Sequence, residues 1–175
     1  YETYVVANYS QNIPANGFTR TELQAQAVSS LDPDKKQDSF MMDGTSAQIL
    51  NDGVIVNKEI SVPLKRAAAK IRVSTAYTNG FTASSAGTIS KKLYKYATNA
   101  SLVESGGPAV PELQNMAGFT DISNGMGSDK IIVYSYPNDW SLDQLNETYL
   151  IVNIPATGPD GKEHTQNYYK VPVNF

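Results

Sequence analysis

The stretch KEISVPLKRAAAKIRVSTAY, residues 58–77, has an apolar alternation that changes parity in its middle. Ile60, Val62 and Leu64 fall on even positions, whereas Ala67, Ala69, Ile71 and Val73 fall on odd ones. Successive strand residues face opposite sides of a sheet, so one straight strand would bury one half of this pattern and expose the other. A strand that bends at Lys65–Arg66, through a β-bulge or by passing from one sheet of a sandwich to the other, lets both halves point inward. The alanines at 67–69 remove side-chain bulk where the backbone must approach a neighbour. With the preceding GVIV, the run exceeds 20 residues, too long for one strand of ordinary length, and must bend or break.

The rest of the chain reads as strands around this one. YETYVVANYS is rich in β-branched and aromatic residues, with Val5 and Ala7 on one face and Tyr4 and Val6 on the other. SFMMDGTS, TISKKLYKYATNASLV, KIIVYSYPNDW, ETYLIVNIPATG and QNYYKVPVNF follow. The last two are joined by a loop that turns at PDG, and the final one carries Tyr169, Val171, Val173 and Phe175 on one face. The single helix is expected from Thr19 to about Leu31. Thr19 and Glu22 form a capping box, Phe18 and Leu23 a hydrophobic staple, and Leu23, Ala27, Val28 and Leu31 a stripe that ends at DPD. The fold class is mostly β, with antiparallel sandwiches favoured by the absence of a βαβ rhythm. The Gly- and Ser-rich stretch 105–129 reads as a linker between a first unit at 1–104 and a second at 130–175.

Composition excludes several functions. Of 175 residues 41% are hydrophobic, enough for a core, while the charged fraction of 18% lies below the roughly 25% of ordinary domains; eleven tyrosines help make the surface polar by hydroxyl and amide. Fourteen basic against 17 acidic residues give a net charge of −3, with no basic field for nucleic acid. The chain has no cysteine for disulfides, thiolate catalysis or metal, and no apolar run of transmembrane length. It opens on Tyr1 and stops at Phe175, both inside strand-like patterns, and is read as a piece of something longer.

No catalytic or cofactor signature appears. The one histidine, His164, sits in a loop and reads as solvated. Asp32, Asp34 and Asp38 lack the glycine and terminal glutamate of a calcium loop and read as an acidic turn. NGMGSDK lacks the Gly-Lys pair of a phosphate cradle. No catalytic, cofactor or metal residues are assigned, and the chain is expected not to be an enzyme. The aromatics Tyr134, Tyr136 and Trp140 could stack on sugars, although tyrosines at alternate strand positions ordinarily serve as core.

The order of segments, above all LKRAAAKIRV (Leu64–Val73) and the Tyr-Tyr pair at 168–169, resembles the fimbrillin family of Bacteroidia, the subunits of type V pili and their minor tip and anchor relatives. The resemblance implies two tandem transthyretin-like β-sandwich domains, the second incomplete at its C-terminus. It also implies export as an outer-membrane lipoprotein, cleavage after an arginine that opens a groove, and assembly by a strand from the next subunit. On that reading the chain is a pilus subunit at the cell surface whose partners are other subunits. Its packing and groove residues are Val5, Ala7, Leu64, Ala67, Ala69, Ile71 and Val73 in the first unit, with Tyr169, Val171 and Val173 in the second. The alternative is a tip adhesin or a carbohydrate- or protein-binding module on the same scaffold.

Overall fold

A computed structural model describes residues 2–29, 31–47, 50–51, 54–55, 60–103, 111–122, 130–141 and 143–173. Most of NGMGSDK, residues 56–59 of the stretch expected to form a long strand, and both chain ends lie outside them.

The elements in order are β1 (Glu2–Ala7), α1 (Arg20–Ala25), β2 (Ala27–Val28), β3 (Met42–Ala47), β4 (Leu50–Asn51), β5 (Val54–Ile55), β6 (Lys65–Arg66) and β7 (Ala69–Ser74). There follow β8 (Thr82–Ala83), β9 (Ser90–Tyr94), β10 (Tyr96–Ala97), β11 (Ala100–Ser101), β12 (Leu113–Gln114) and β13 (Thr120–Asp121). The last are β14 (Lys130–Ser135), β15 (Tyr149–Asn153), β16 (Ala156–Thr157), β17 (Glu163–His164) and β18 (Tyr168–Pro172). Every pairing in the ladders is antiparallel.

The parity change marks a change of sheet. β6 pairs with β3, in the sheet β1-β3-β6, whereas β7 pairs with β14 over its whole length, from Ser74 opposite Lys130 to Ala69 opposite Ser135. Between them Ala68 is buried, and the Ala67 N–H donates to the Met41 carbonyl at 2.9 Å, the close approach for which small side chains leave room. The even half does not turn inward: Ile60 and Leu64 are exposed. The segment 62–63 instead crosses Gly44, where an added Cβ would lie 2.2 Å from the Pro63 carbonyl oxygen.

Two cores result. One lies between the sheet β7-β14 and the four-stranded sheet β13-β9-β15-β18, and is filled by Leu93, Ile131, Val133, Leu150 and Val152, with Ile71, Val73 and Val171 packed against them. The other gathers Val28, Ala68, Ala97, Leu102 and Tyr136, with Val6, Leu23, Leu31 and Phe40 against them.

These cores are not tandem, and this corrects the division at 105–129. β7 and β9, which precede that stretch, pair with β14 and β15, which follow it. The stretch itself carries β12 and β13 and buries Met116 and Ile122. The chain passes between the cores at 67–69, 95–97, 113–116 and 135–136. At the second passage Lys95 takes a left-handed conformation, φ 50°, with its N–H donating to Asn115 Oδ1 at 2.9 Å.

The helix is shorter than its apolar stripe. The capping box forms as read, with the Glu22 N–H donating to Thr19 Oγ1 and the Thr19 N–H to the Glu22 carboxylate. It then stops at Ala25. Gln26 is extended, its carbonyl accepts from the Leu102 N–H at 2.8 Å, and Val28 continues as β2 opposite Ala100. Six residues gain little from helix propagation, and ladder bonds to β11 satisfy the backbone instead.

The DPD turn has a packing role. Asp34 Oδ1 lies 2.7 Å from Nζ of Lys91, a lysine on β9 that is almost wholly withdrawn from solvent, and the Pro33 carbonyl accepts from the Tyr134 N–H at 3.0 Å. Asp32 and Asp38 pair with Lys35 and Lys36. Each carboxylate of the turn thus meets its own lysine, and among the described residues no cluster of His, Asp and Glu is placed to hold a metal. No described helix is long and apolar enough to cross a membrane.

Candidate functional site: an open groove between two sheet edges

The two sheets of the larger core do not close on every side. Among the described residues β7 has only β14 as a ladder partner, and β18 has only β15. A groove of about 530 Å³ lies beside these two edges. Its apolar wall comes from Val73, Val152, Ile154 and Val171, and its rim from Tyr77, Phe81, His164, Asn167 and Tyr169.

Strand alternation explains the lining. On β18 the odd positions face inward, so Tyr169 and Val171 meet the groove while Tyr168 and Lys170 face out. Val152 stands opposite Tyr169 in the ladder, and both side chains are on the inward side. Although Tyr169 faces the groove, it is half exposed, because no described strand lies beyond it.

One end of the groove is fixed by Asn167. Its N–H donates to Asn153 Oδ1 at 2.8 Å, and its amide Nδ2 donates to the carbonyls of Ile154 and His164, both at 3.2 Å. The Tyr77 hydroxyl donates to the Pro155 carbonyl at 3.0 Å. His164 stands on β17 with its ring 6.2 Å from that of Phe81, beside a turn in which the Gly161 N–H donates to the Gly158 carbonyl. In that turn Asp160 accepts from the Lys162 N–H and side chain, which hold its carboxyl below the usual range, with the nearby His164 adding to this.

The residues singled out in the sequence are placed unevenly. Val73, Tyr169 and Val171 line the groove, Ile71 packs on the core behind it, and Val173 is buried with its N–H on the Thr148 carbonyl. Ala69 is half-buried where β7 begins. Others lie elsewhere. Val6, not Val5 or Ala7, packs on the second core, because the even face of β1 is the inward one; Val5 stands opposite Gly44 on the other face. Leu64 is exposed, and Ala67 borders a separate cavity of about 180 Å³.

The aromatic ligand surface is corrected. Tyr134 and Tyr136 are 2% and 4% exposed, which leaves no ring face for a surface ligand. Trp140 is half-buried, with Nε1 directed at the Val173 carbonyl at 3.4 Å.

Val152, Ile154 and Phe81 were not singled out in the sequence, where His164 reads as a solvated loop residue; it is exposed, on β17 at the rim of the groove. The alternation Leu150, Val152, Ile154 in YLIVNI marks the inward face and could have identified the first two. Phe81 and His164 are brought to the groove by β8, β16 and β17, whose two-residue strands leave no periodic signal.

Set beside known proteins, the chain finds no counterpart: no family model matches it, and neither does any curated protein or solved structure.

Proposed function

We propose that this chain is a structural, non-enzymatic subunit of a bacterial surface pilus of the fimbrillin type, joined head to tail when a strand of a neighbouring subunit lies in the groove beside β7 and β18. The observation that carries this reading is the groove itself. Two sheet edges without a described partner border an apolar trough, and an added strand would hydrogen-bond to an edge while alternate side chains entered between Val73, Val152 and Val171.

An open edge of this kind invites pairing with another chain, so a subunit that carries one needs an occupant. A contact between unlike surfaces does not close on itself and propagates as a filament. Export to the cell surface and processing by a protease belong to the same proposal.

Negative-stain electron microscopy of the mature full-length protein, with and without its processing protease, tests it. Filaments that form only after processing support the shaft role; persistent monomers move the protein to a tip or free binding role.

A further inference from the structure

On the face of the four-stranded sheet turned away from the groove, side chains stand in rows set by the register. Lys92, Ile151 and Lys170 form one row, with Tyr94, Tyr149 and Pro172 on one side of it and Ser90, Asn153 and Tyr168 on the other. Asp121 extends the last row from β13, and Phe119, one residue before that strand, falls beside Lys92 if the register continues.

The rows have an ordered chemistry. Tyr94 and Tyr149 stack at 4.9 Å with their planes 8° apart. Lys92 Nζ lies 5.0 Å from the Tyr94 ring centre, and Lys170 Nζ lies 4.5 Å from that of Tyr149. These rings already hold cations, so the face is not built to take another. Lys170 is neutralised by Glu147, whereas Lys92 has no carboxylate partner among the described residues. Next to this row Phe119 and Tyr168 meet at 5.6 Å and remain 42% and 55% exposed.

We infer that this face binds an acidic sugar, a pyranose carrying a carboxylate. The sugar's apolar face packs on Phe119 and Tyr168, its carboxylate meets the Lys92 ammonium, and its hydroxyls reach the Asp121 carboxylate and the Ser90 hydroxyl. Each group supplies what its neighbours lack. The aromatic pair offers exposed apolar area, Lys92 a positive charge with no carboxylate partner among the described residues, and Asp121 an acceptor for hydroxyl groups. The site is on the opposite face from the groove and does not rest on the pilus reading.

The test is native affinity electrophoresis of the full chain in gels containing polygalacturonate, with dextran as the neutral polymer and heparin as a sulfated one. The wild type should be retarded by polygalacturonate and not by dextran. Lys92→Gln, and the double variant Phe119→Ala with Tyr168→Ala, should weaken retardation about tenfold, whereas Lys92→Arg should keep it. Phe119 and Tyr168 are exposed and Lys92 is half-buried on the outer face of β9, and far-UV circular dichroism verifies that the variants fold. Absence of retardation, equal retardation in dextran, or retardation untouched by the aromatic variants overturns the inference. So does heparin retardation that matches polygalacturonate and ignores the aromatic variants, which is charge alone. If the variants change the oligomeric state by light scattering while retardation stays unchanged, the face is a protein interface and the inference fails.

Discussion

Lys91 and Asp34 meet at 2.7 Å with the lysine side chain 5% exposed and the aspartate 27%. One partner is held by a strand of the larger core, and the other by the turn that follows β2. The pair ties the acidic turn to β9, while the neighbouring Pro33 carbonyl accepts from Tyr134 on the facing sheet.

The two halves of this pair should respond differently to mutation. Asp34→Ala leaves a buried ammonium uncompensated and should cost about 3 kcal/mol, whereas Lys91→Met leaves only a partly solvated carboxylate and should cost clearly less. Urea unfolding of the two variants measures the difference. Equal losses would place the energy in the turn backbone and not in the charge.

Gly44 is fixed by close approach. A methyl group there would overlap the Pro63 carbonyl, so the segment 62–63 must move off β3. Gly44→Ala should therefore destabilise the fold by about 2 kcal/mol, in the range of overpacked sites, while Gly118→Ala, with open space around it, should not. Denaturation midpoints of the two variants decide this.

Tyr96 gives the fold an alkaline limit. Burial, with Asp32 nearby, raises its hydroxyl above the ordinary tyrosine value. A folded-state value above the unfolded one means that the contribution is complete below the unfolded value and is lost as pH rises through the folded one. Stability should therefore fall above about pH 10, and Tyr96→Phe should flatten that fall by up to one proton. Denaturation midpoints across the alkaline range, followed for both proteins, test the sign.

The parity change at 65–69 was legible because alternation has a period of two and cannot shift without a bend or break; β6 and β7 accordingly join different sheets. The Thr19–Glu22 cap was legible for a similar reason, since its spacing is local. What failed was non-local. The stripe Leu23, Ala27, Val28 and Leu31 fits a helix, yet the ladder with β11, some seventy residues away, takes Val28 into a strand. Likewise, glycine and serine made 105–129 look like a linker, although Met116 and Ile122 within it fill the core. The inward side of β18 was readable from Tyr169, Val171 and Val173. The inward faces of β7 and β15 follow from the same alternation, but that they and β18 surround one groove was not legible, because nothing local in these strands says that they meet.

The direct test of the groove as a strand acceptor uses the absence of cysteine from the chain. A single photo-crosslinker is attached at Tyr169→Cys, the protein is assembled into filaments, and the crosslinked peptide is identified by mass spectrometry. The account predicts a crosslink from position 169 to one extended segment of another subunit, present in filaments and absent from monomers. Filaments in which position 169 captures only its own chain, or nothing, would contradict it.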